Sequence, residues 1–141
     1  MDGTRGQATW RFALATVLIV VGSPLMRATL KASILRMGHQ VVGEALDAQE
    51  ALRLYHREKP DVVAVDVAIP KMDGLQLIER LHDMDPSVRA IVCTGEARRD
   101  IVLRAFQCGA RDYVLRPFKP ERMNTALERA TCGLLADRKA S

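Results

Sequence analysis

The sequence is poor in aromatic residues, which make up 4% of its 141 residues and include a single tryptophan. The basic residues therefore have no aromatic platform beside them, and no recognition motif accompanies them, so we expect no direct binding of nucleic acid. Its three cysteines, Cys93, Cys108 and Cys132, show no C-x-x-C spacing, and an odd number suits no disulfide framework. We expect these thiols to be free in a reducing cytoplasm.

No apolar run in the sequence is long enough to cross a membrane. The longest, from Phe12 to Val21, has ten residues and contains Thr16, whereas a membrane-spanning helix needs about 20. The run follows Arg5 and Arg11 and so resembles the start of a signal peptide, but no small-residue cleavage site follows it. Cleavage there would also remove the first strand of the fold. We therefore expect a cytoplasmic protein that does not associate with membranes.

The net charge of +4 is concentrated in the C-terminal third of the chain. Ten Lys and Arg face six Asp and Glu from Glu96 onward, whereas the first 95 residues contain eleven of each. A basic surface attracts acidic partners. With 48% hydrophobic residues and no repeats or low-complexity segments, the remainder is typical of one folded domain.

Strand-like apolar runs alternate five times with segments of helical spacing. The strands are predicted at 17–21, 40–44, 61–66, 90–94 and 112–115, and the helices begin near Pro24, Asp47, Leu75, Arg98 and Glu121. Five such units predict an α/β fold with a doubly wound, five-stranded parallel sheet. We assign residues 16–136 to this domain, residues 1–15 to a flexible N-terminal extension, and residues 137–141 to a C-terminal tail.

The carboxyl ends of parallel strands form the reactive edge of such a sheet. Val21 and Gly22 follow the first predicted strand, Asp66 ends the third, Thr94 ends the fourth, and Arg116 follows the fifth. The fold alone therefore predicts that these side chains lie close together.

Several stretches of the sequence carry a resemblance to one known family. They are Val17-Leu18-Ile19-Val20 with Ser23-Pro24-Leu25-Met26-Arg27, Pro60-Asp61-Val62-Val63-Ala64-Val65-Asp66, Ile69-Pro70-Lys71-Met72-Asp73-Gly74, Cys93-Thr94-Gly95, and Gly109-Ala110-Arg111-Asp112-Tyr113-Val114-Leu115-Arg116-Pro117-Phe118. In this order and spacing the chain, over roughly residues 16–136, resembles the receiver domain of bacterial two-component response regulators. The resemblance implies a flavodoxin-like sheet with the strand order 2-1-3-4-5.

The resemblance also implies roles for individual residues. Asp66 matches the aspartate that accepts a phosphoryl group from a histidine kinase, Thr94 matches the hydroxyl residue that bonds the phosphoryl oxygen, and Tyr113 matches the aromatic switch. Pro117 matches a proline that follows a cis peptide bond. Residues 97–121 match the face through which receivers meet a histidine kinase, an output protein or a second copy. We expect a monomer or a weak homodimer.

Two positions depart from the family pattern. Where the family has two acidic residues that hold Mg²⁺, this chain has Val21 and Gly22, and Arg116 replaces a lysine. We therefore expect no metal or other cofactor, with Mg²⁺ bound only if the site is functional despite the change. Arginine can grip a carboxylate with two parallel hydrogen bonds. We hypothesise a standing ion pair between Asp66 and Arg116.

These observations favour a stand-alone receiver that is not an enzyme and acts by protein binding, with phosphorylation at Asp66 in doubt. One alternative is a working phosphoacceptor with a substitute metal arrangement, and another is a module that binds a small ligand. Asp66 could also be a strand-end cap without chemistry, while Thr94 and Tyr113 could be ordinary packing residues. Asp73 is expected to shape a turn or cap a helix.

Overall fold

The computed structural model describes residues 14–96 and 98–136, in which five strands alternate with five helices. The elements are β1 (Thr16–Val20), α1 (Pro24–Arg36), β2 (Gln40–Ala45), α2 (Ala48–Glu58), β3 (Val62–Asp66), α3 (Gly74–Met84), β4 (Ala90–Thr94), α4 (Arg99–Gln107), β5 (Ala110–Leu115) and α5 (Pro120–Thr131). Within the described ranges, no helix is long and apolar enough to cross a membrane.

All neighbouring strands run parallel, in the order β2-β1-β3-β4-β5. Alternate residues of the central strands face opposite sides of the sheet, so each side carries its own core. One core packs against α2, α3 and α4, and the other packs against α1 and α5. The predicted doubly wound sheet is confirmed, including its strand order.

The central strands consist almost wholly of apolar residues because helices cover both of their sides. All five residues of β3 and all five of β4 are buried. The helices begin where polar side chains cap their first turns: Ser23 caps α1, Asp47 caps α2, and Asp73 forms a capping box with Gln76 at α3. The expectation that Asp73 caps a helix is confirmed.

Helix α4 is attached to the core less firmly than its sequence suggests. The apolar spacing predicts that Ile101, Val102, Ala105 and Phe106 are buried, but only Ala105 is, and Phe106 is 46% exposed. The helix covers β5 at the edge of the sheet, where less core is available. Its N-cap residue, Arg98, makes no side-chain capping hydrogen bond. The prediction of a fully packed helix is wrong.

The chain ends lie mostly outside the described residues. These include the predicted tail at 137–141 and all of the predicted extension except residues 14 and 15; Ala15 is 4% exposed and belongs to the core. Beside it, His39 is 2% exposed and accepts a hydrogen bond from the Ala15 backbone. In the sequence, His39, His56 and His82 show no spacing suited to a metal, which favours surface positions for all three. The burial of His39 corrects this expectation. Burial lowers the pKa of His39.

Candidate functional site

The parallel register brings the predicted residues to one edge of the sheet. Val20 pairs with Val65, Asp66 with Cys93, and Thr94 with Leu115. Asp66 therefore lies between the end of β1 and the end of β4, with the loop that follows β5 beyond Thr94. The convergence expected from the strand pattern is present.

Asp66 is a buried carboxylate with few partners. It is 4% exposed, and its Oδ1 accepts a hydrogen bond of 3.1 Å from the Ala68 backbone N–H. The chain passes close behind it, because a Cβ on Gly74 would collide with the Asp66 carbonyl oxygen. Burial raises the pKa of Asp66, while the Ala68 hydrogen bond and the charge of Arg116 offset only part of this rise.

The raised pKa predicts that Asp66→Asn stabilises the protein at pH 7, by about 1 kcal/mol. Burying the charged carboxylate of Asp66 lowers the free energy of unfolding. This destabilisation is present above the pKa that Asp66 has in the folded state. It disappears as the pH falls toward the ordinary value of 3.8. Urea unfolding at neutral and acid pH measures the difference.

Asp73→Asn is the matched control, because asparagine caps a helix as well as aspartate does and the Asp73 side chain is 41% exposed. Equal stability of wild type and Asp66→Asn at pH 7 would show that the Asp66 carboxylate is better solvated than its burial implies.

Arg116 does not form the ion pair that we hypothesised with Asp66. Within the described part of the chain, no carboxylate oxygen lies within 4.0 Å of its nitrogens. Instead, Nη1 lies 3.1 Å from the Met26 sulfur, and a Cβ on Gly95 would come within 2.5 Å of Nη2. The space left by Gly95 holds the guanidinium at the rim, where it keeps partial contact with water. Contact with buried Asp66 would require it to lose that water.

The other residues singled out by the resemblance lie around this edge. The peptide bond before Pro117 is cis, as expected. Thr94 is 3% exposed, and its hydroxyl bonds to the backbone of Glu96, accepting from N–H at 3.1 Å and donating to the carbonyl at 3.3 Å. The hydroxyl is thus engaged with the loop after β4 and makes no hydrogen bond to Asp66.

Tyr113 is half-buried on the outer part of β5. Its ring meets Phe106 edge-on with centroids 6.1 Å apart, and the Arg122 guanidinium lies 5.7 Å from the ring centroid. These contacts tie the ring to α4 and α5. A role as a switch remains a prediction.

Residues 17–128 match the family model described as the response regulator receiver domain. The chain belongs to this family. It is 36% identical to the chemotaxis protein CheY of Thermotoga maritima over 115 residues, which cover 82% of this chain and 96% of that protein.

Solved structures show the same fold. A LuxR-family two-component response regulator from Aurantimonas sp. SI85-9A1 is similar with a TM-score of 0.78 and 31% identity, over 89% of this chain and 87% of that one. CheY in the CheX–CheY–BeF3–Mg²⁺ complex from Borrelia burgdorferi has a TM-score of 0.75 and 24% identity, over 79% of this chain and 85% of that one.

The donor set of this receiver does not fit a resident Mg²⁺ ion. Such sites use carboxylate oxygens from more than one residue together with water. Val21 is fully buried in the core and Gly22 has no side chain, so neither residue after β1 supplies a carboxylate beside Asp66. No group of three or more His, Cys, Asp or Glu residues suited to a metal occurs in the described ranges. The expectation that the protein works without a cofactor remains a prediction.

The sequence analysis did not predict a cluster of charged side chains that lies between β5 and α5. Asp112 on β5 is 1% exposed and accepts two hydrogen bonds from Arg122, of 2.8 and 2.9 Å, and one of 3.2 Å from Arg129. Arg122 also donates to the Tyr113 carbonyl. The sequence pattern could have indicated this cluster. Asp112 occupies an inward position of a strand whose residues alternate in burial, and Arg122 and Arg129 are seven residues apart on one helix.

The cluster shifts the pKa of Asp112. Burial raises the pKa, but hydrogen bonds from Arg122 and from the Tyr113 backbone, with the charges of both arginines, outweigh burial and leave it below its ordinary value. The cluster thus fastens α5 to β5 through an ionised, buried carboxylate.

Proposed function

We propose that this receiver domain acts in two-component signalling as a binding module that does not depend on phosphorylation of Asp66. The observation that carries the proposal is the end of β1, where buried Val21 and side-chain-free Gly22 supply no carboxylate beside Asp66. Phosphoryl transfer relies on cations that neutralise developing charge. Without carboxylates to hold Mg²⁺, transfer to Asp66 is expected to be slow.

The surface formed by residues 98–121 supports a role in binding an acidic protein partner. It exposes the apolar side chains Leu103 (51%) and Phe106 (46%) beside Leu115 (39%). Six basic residues and three acidic ones give this stretch a net charge of +3. Exposed apolar side chains within a stretch of net positive charge are typical of an interaction site.

Some of this positive charge is already neutralised within the chain. Arg98 pairs with Asp100 at 2.9 Å, and Arg104 lies 3.5 Å from Glu79. Among the described residues, no carboxylate lies within 4.0 Å of Arg99, Arg111 or Lys119, all of which are exposed. These three cations are therefore available to an acidic partner, such as a histidine kinase or an output protein. The proposal places the protein in the cytoplasm, as a monomer or weak homodimer without catalytic activity.

Incubation with Mg²⁺ and acetyl phosphate, followed by intact-mass measurement, tests the proposal. We expect no stoichiometric gain of one phosphoryl group, because Asp66 lacks the metal that would offset the charge. Asp66→Asn is the control, and a relative with the complete acidic pair shows that the phosphodonor works.

A full mass shift in the wild type that disappears in Asp66→Asn would overturn the proposal. It would favour the second candidate, a working phosphoacceptor with a substitute arrangement of charge. That candidate is supported by the retained Asp66, Thr94 and Tyr113, which lie at or near the same edge of the sheet.

A further inference from the structure

We propose that the groove between α1 and the loop after β5 binds a small organic carboxylate whose apolar body packs beside Arg116. We call it the Arg116 groove. It has a volume of about 460 Å³, and its walls include Leu25 and Met26 from α1, Gly95, and Pro117 and Phe118. This volume lies within the usual range of small-molecule sites. The site is independent of Asp66 phosphorylation and goes beyond the proposed function.

Arg116 lacks the anionic partner that a half-buried guanidinium usually has. Its Nη1 lies 3.1 Å from the sulfur of Met26, and a thioether is a weak hydrogen-bond acceptor. Its buried Nε has no hydrogen-bond partner. The Asp66 carboxylate is outside ion-pair distance of Arg116, although the charge of Arg116 still offsets part of the rise that burial causes in the pKa of Asp66. The groove therefore presents a cation with unused donors.

The walls of the groove select an anion with an apolar body. Leu25 is 78% exposed, an unusual degree for a large apolar side chain, and it forms one rim. Phe118 is 9% exposed and offers only part of its ring. A bare inorganic anion would leave this apolar surface in water, whereas an aryl or alkyl chain would cover it.

The nearby charges favour a monoanion with a flat head. A carboxylate matches the planar fork of a guanidinium. A dianionic phosphate would be repelled more strongly by Asp66, which is close enough to interact with Arg116 electrostatically. The turn Val21-Gly22-Ser23-Pro24 also has only one glycine and forms no phosphate-cradling loop. These features favour a carboxylate over a nucleotide.

Fluorine NMR with 4-fluorobenzoate tests the groove in the complete chain. A probe of this size that makes one strong polar contact is expected to bind saturably, with a Kd of about 1 mM. Neutral 4-fluorobenzyl alcohol has the same body without the charge and is expected to bind at least tenfold more weakly. Equal binding of the two probes would overturn the proposal, as would an absence of saturable binding.

Three variants locate the site. Arg116→Gln is expected to weaken 4-fluorobenzoate binding at least tenfold, and Gly95→Ala is expected to weaken it as well, because the added Cβ displaces the guanidinium. Arg53→Gln on α2, where the Arg53 side chain is 62% exposed, is the matched control and should leave the affinity unchanged. Unchanged binding in Arg116→Gln, or equal losses in Arg116→Gln and Arg53→Gln, would overturn the proposal. Circular dichroism confirms that each variant is folded.

Discussion

Gly22→Asp is expected to give this receiver a measurable Mg²⁺ site, with an affinity at least tenfold above that of the wild type. Residue 22 follows β1, beside the end of β3 where Asp66 lies. A Cβ at Gly22 would meet nothing within 4 Å, so the new side chain fits without displacing a neighbour. The variant places a second carboxylate beside Asp66 in open space.

Electrostatics sets the size of the effect. One carboxylate about 4 Å from a divalent ion supplies roughly 8 kcal/mol of gross attraction at an effective dielectric near 20. Desolvation of both groups removes most of it. A remainder of about 1.4 kcal/mol already corresponds to a tenfold change in affinity.

Adding Val21→Asp should raise the Mg²⁺ affinity further, to more than about a hundredfold above wild type, if the second carboxylate supplies a similar remainder. This change has a cost, because Val21 is fully buried beside the core under α1 and α5. The double variant is therefore expected to bind Mg²⁺ more tightly but to unfold at lower urea concentration without the ion.

Isothermal titration calorimetry with MgCl₂ measures these affinities. Asp66→Asn in the Gly22→Asp background is the matched control, and it should remove the gain because one of the two carboxylates is lost. Wild-type binding as tight as that of Gly22→Asp would contradict the conclusion that the native donor set does not fit Mg²⁺.

Arg122→Ala is expected to lower the free energy of unfolding by about 3 kcal/mol. The substitution removes two hydrogen bonds to Asp112 and leaves a carboxylate that is 1% exposed with less compensation. Removing one partner of a buried charged pair typically costs about 3–5 kcal/mol. The expected loss is at the low end because Arg129 still reaches Asp112 at 3.2 Å.

Arg129→Ala is the matched control. Its side chain is 60% exposed and makes one longer hydrogen bond, so the expected loss is about 1 kcal/mol or less. Urea unfolding at pH 7 compares the two variants. Similar losses for Arg122→Ala and Arg129→Ala would show that the two hydrogen bonds from Arg122 are not what stabilises Asp112.

The same variant should change the pH dependence of stability. The pKa of Asp112 is lowered on folding, so its stabilising contribution is present above the ordinary value of 3.8 and is lost as the pH falls through the folded value. In Arg122→Ala this acid loss should be smaller. As the pH falls, protonation of Asp112 destabilises the protein, whereas protonation of Asp66 stabilises it. The two groups can therefore be distinguished by the sign of their effect on stability.

The sheet could be predicted from the sequence because its strands have the simplest pattern. The fourth strand was predicted at 90–94 and is Ala90–Thr94, since a strand buried on both sides is a continuous apolar run between polar residues. Helix starts were predicted within about one residue wherever a capping side chain marks them, as at Asp47 and Asp73. Local chemistry determines both kinds of feature.

Features that depend on distant neighbours were harder to predict. The position of the Arg116 guanidinium depends on the empty space at Gly95 and on Met26 from α1, 90 residues away in sequence. The burial of His39 depends on Ala15. The ion pair between Asp66 and Arg116 was predicted from their opposite charges alone. That prediction left out the free-energy cost of removing the guanidinium from water.

The shallow attachment of α4 affects how a partner can use this surface. Only Ala105 of this helix is fully buried, so a shift of α4 disturbs few core contacts and requires little free energy. If this surface binds a partner as proposed, we expect α4 to shift on binding while the sheet keeps its register. We therefore expect the face that carries Leu103 and Phe106 to accept partners of different shape.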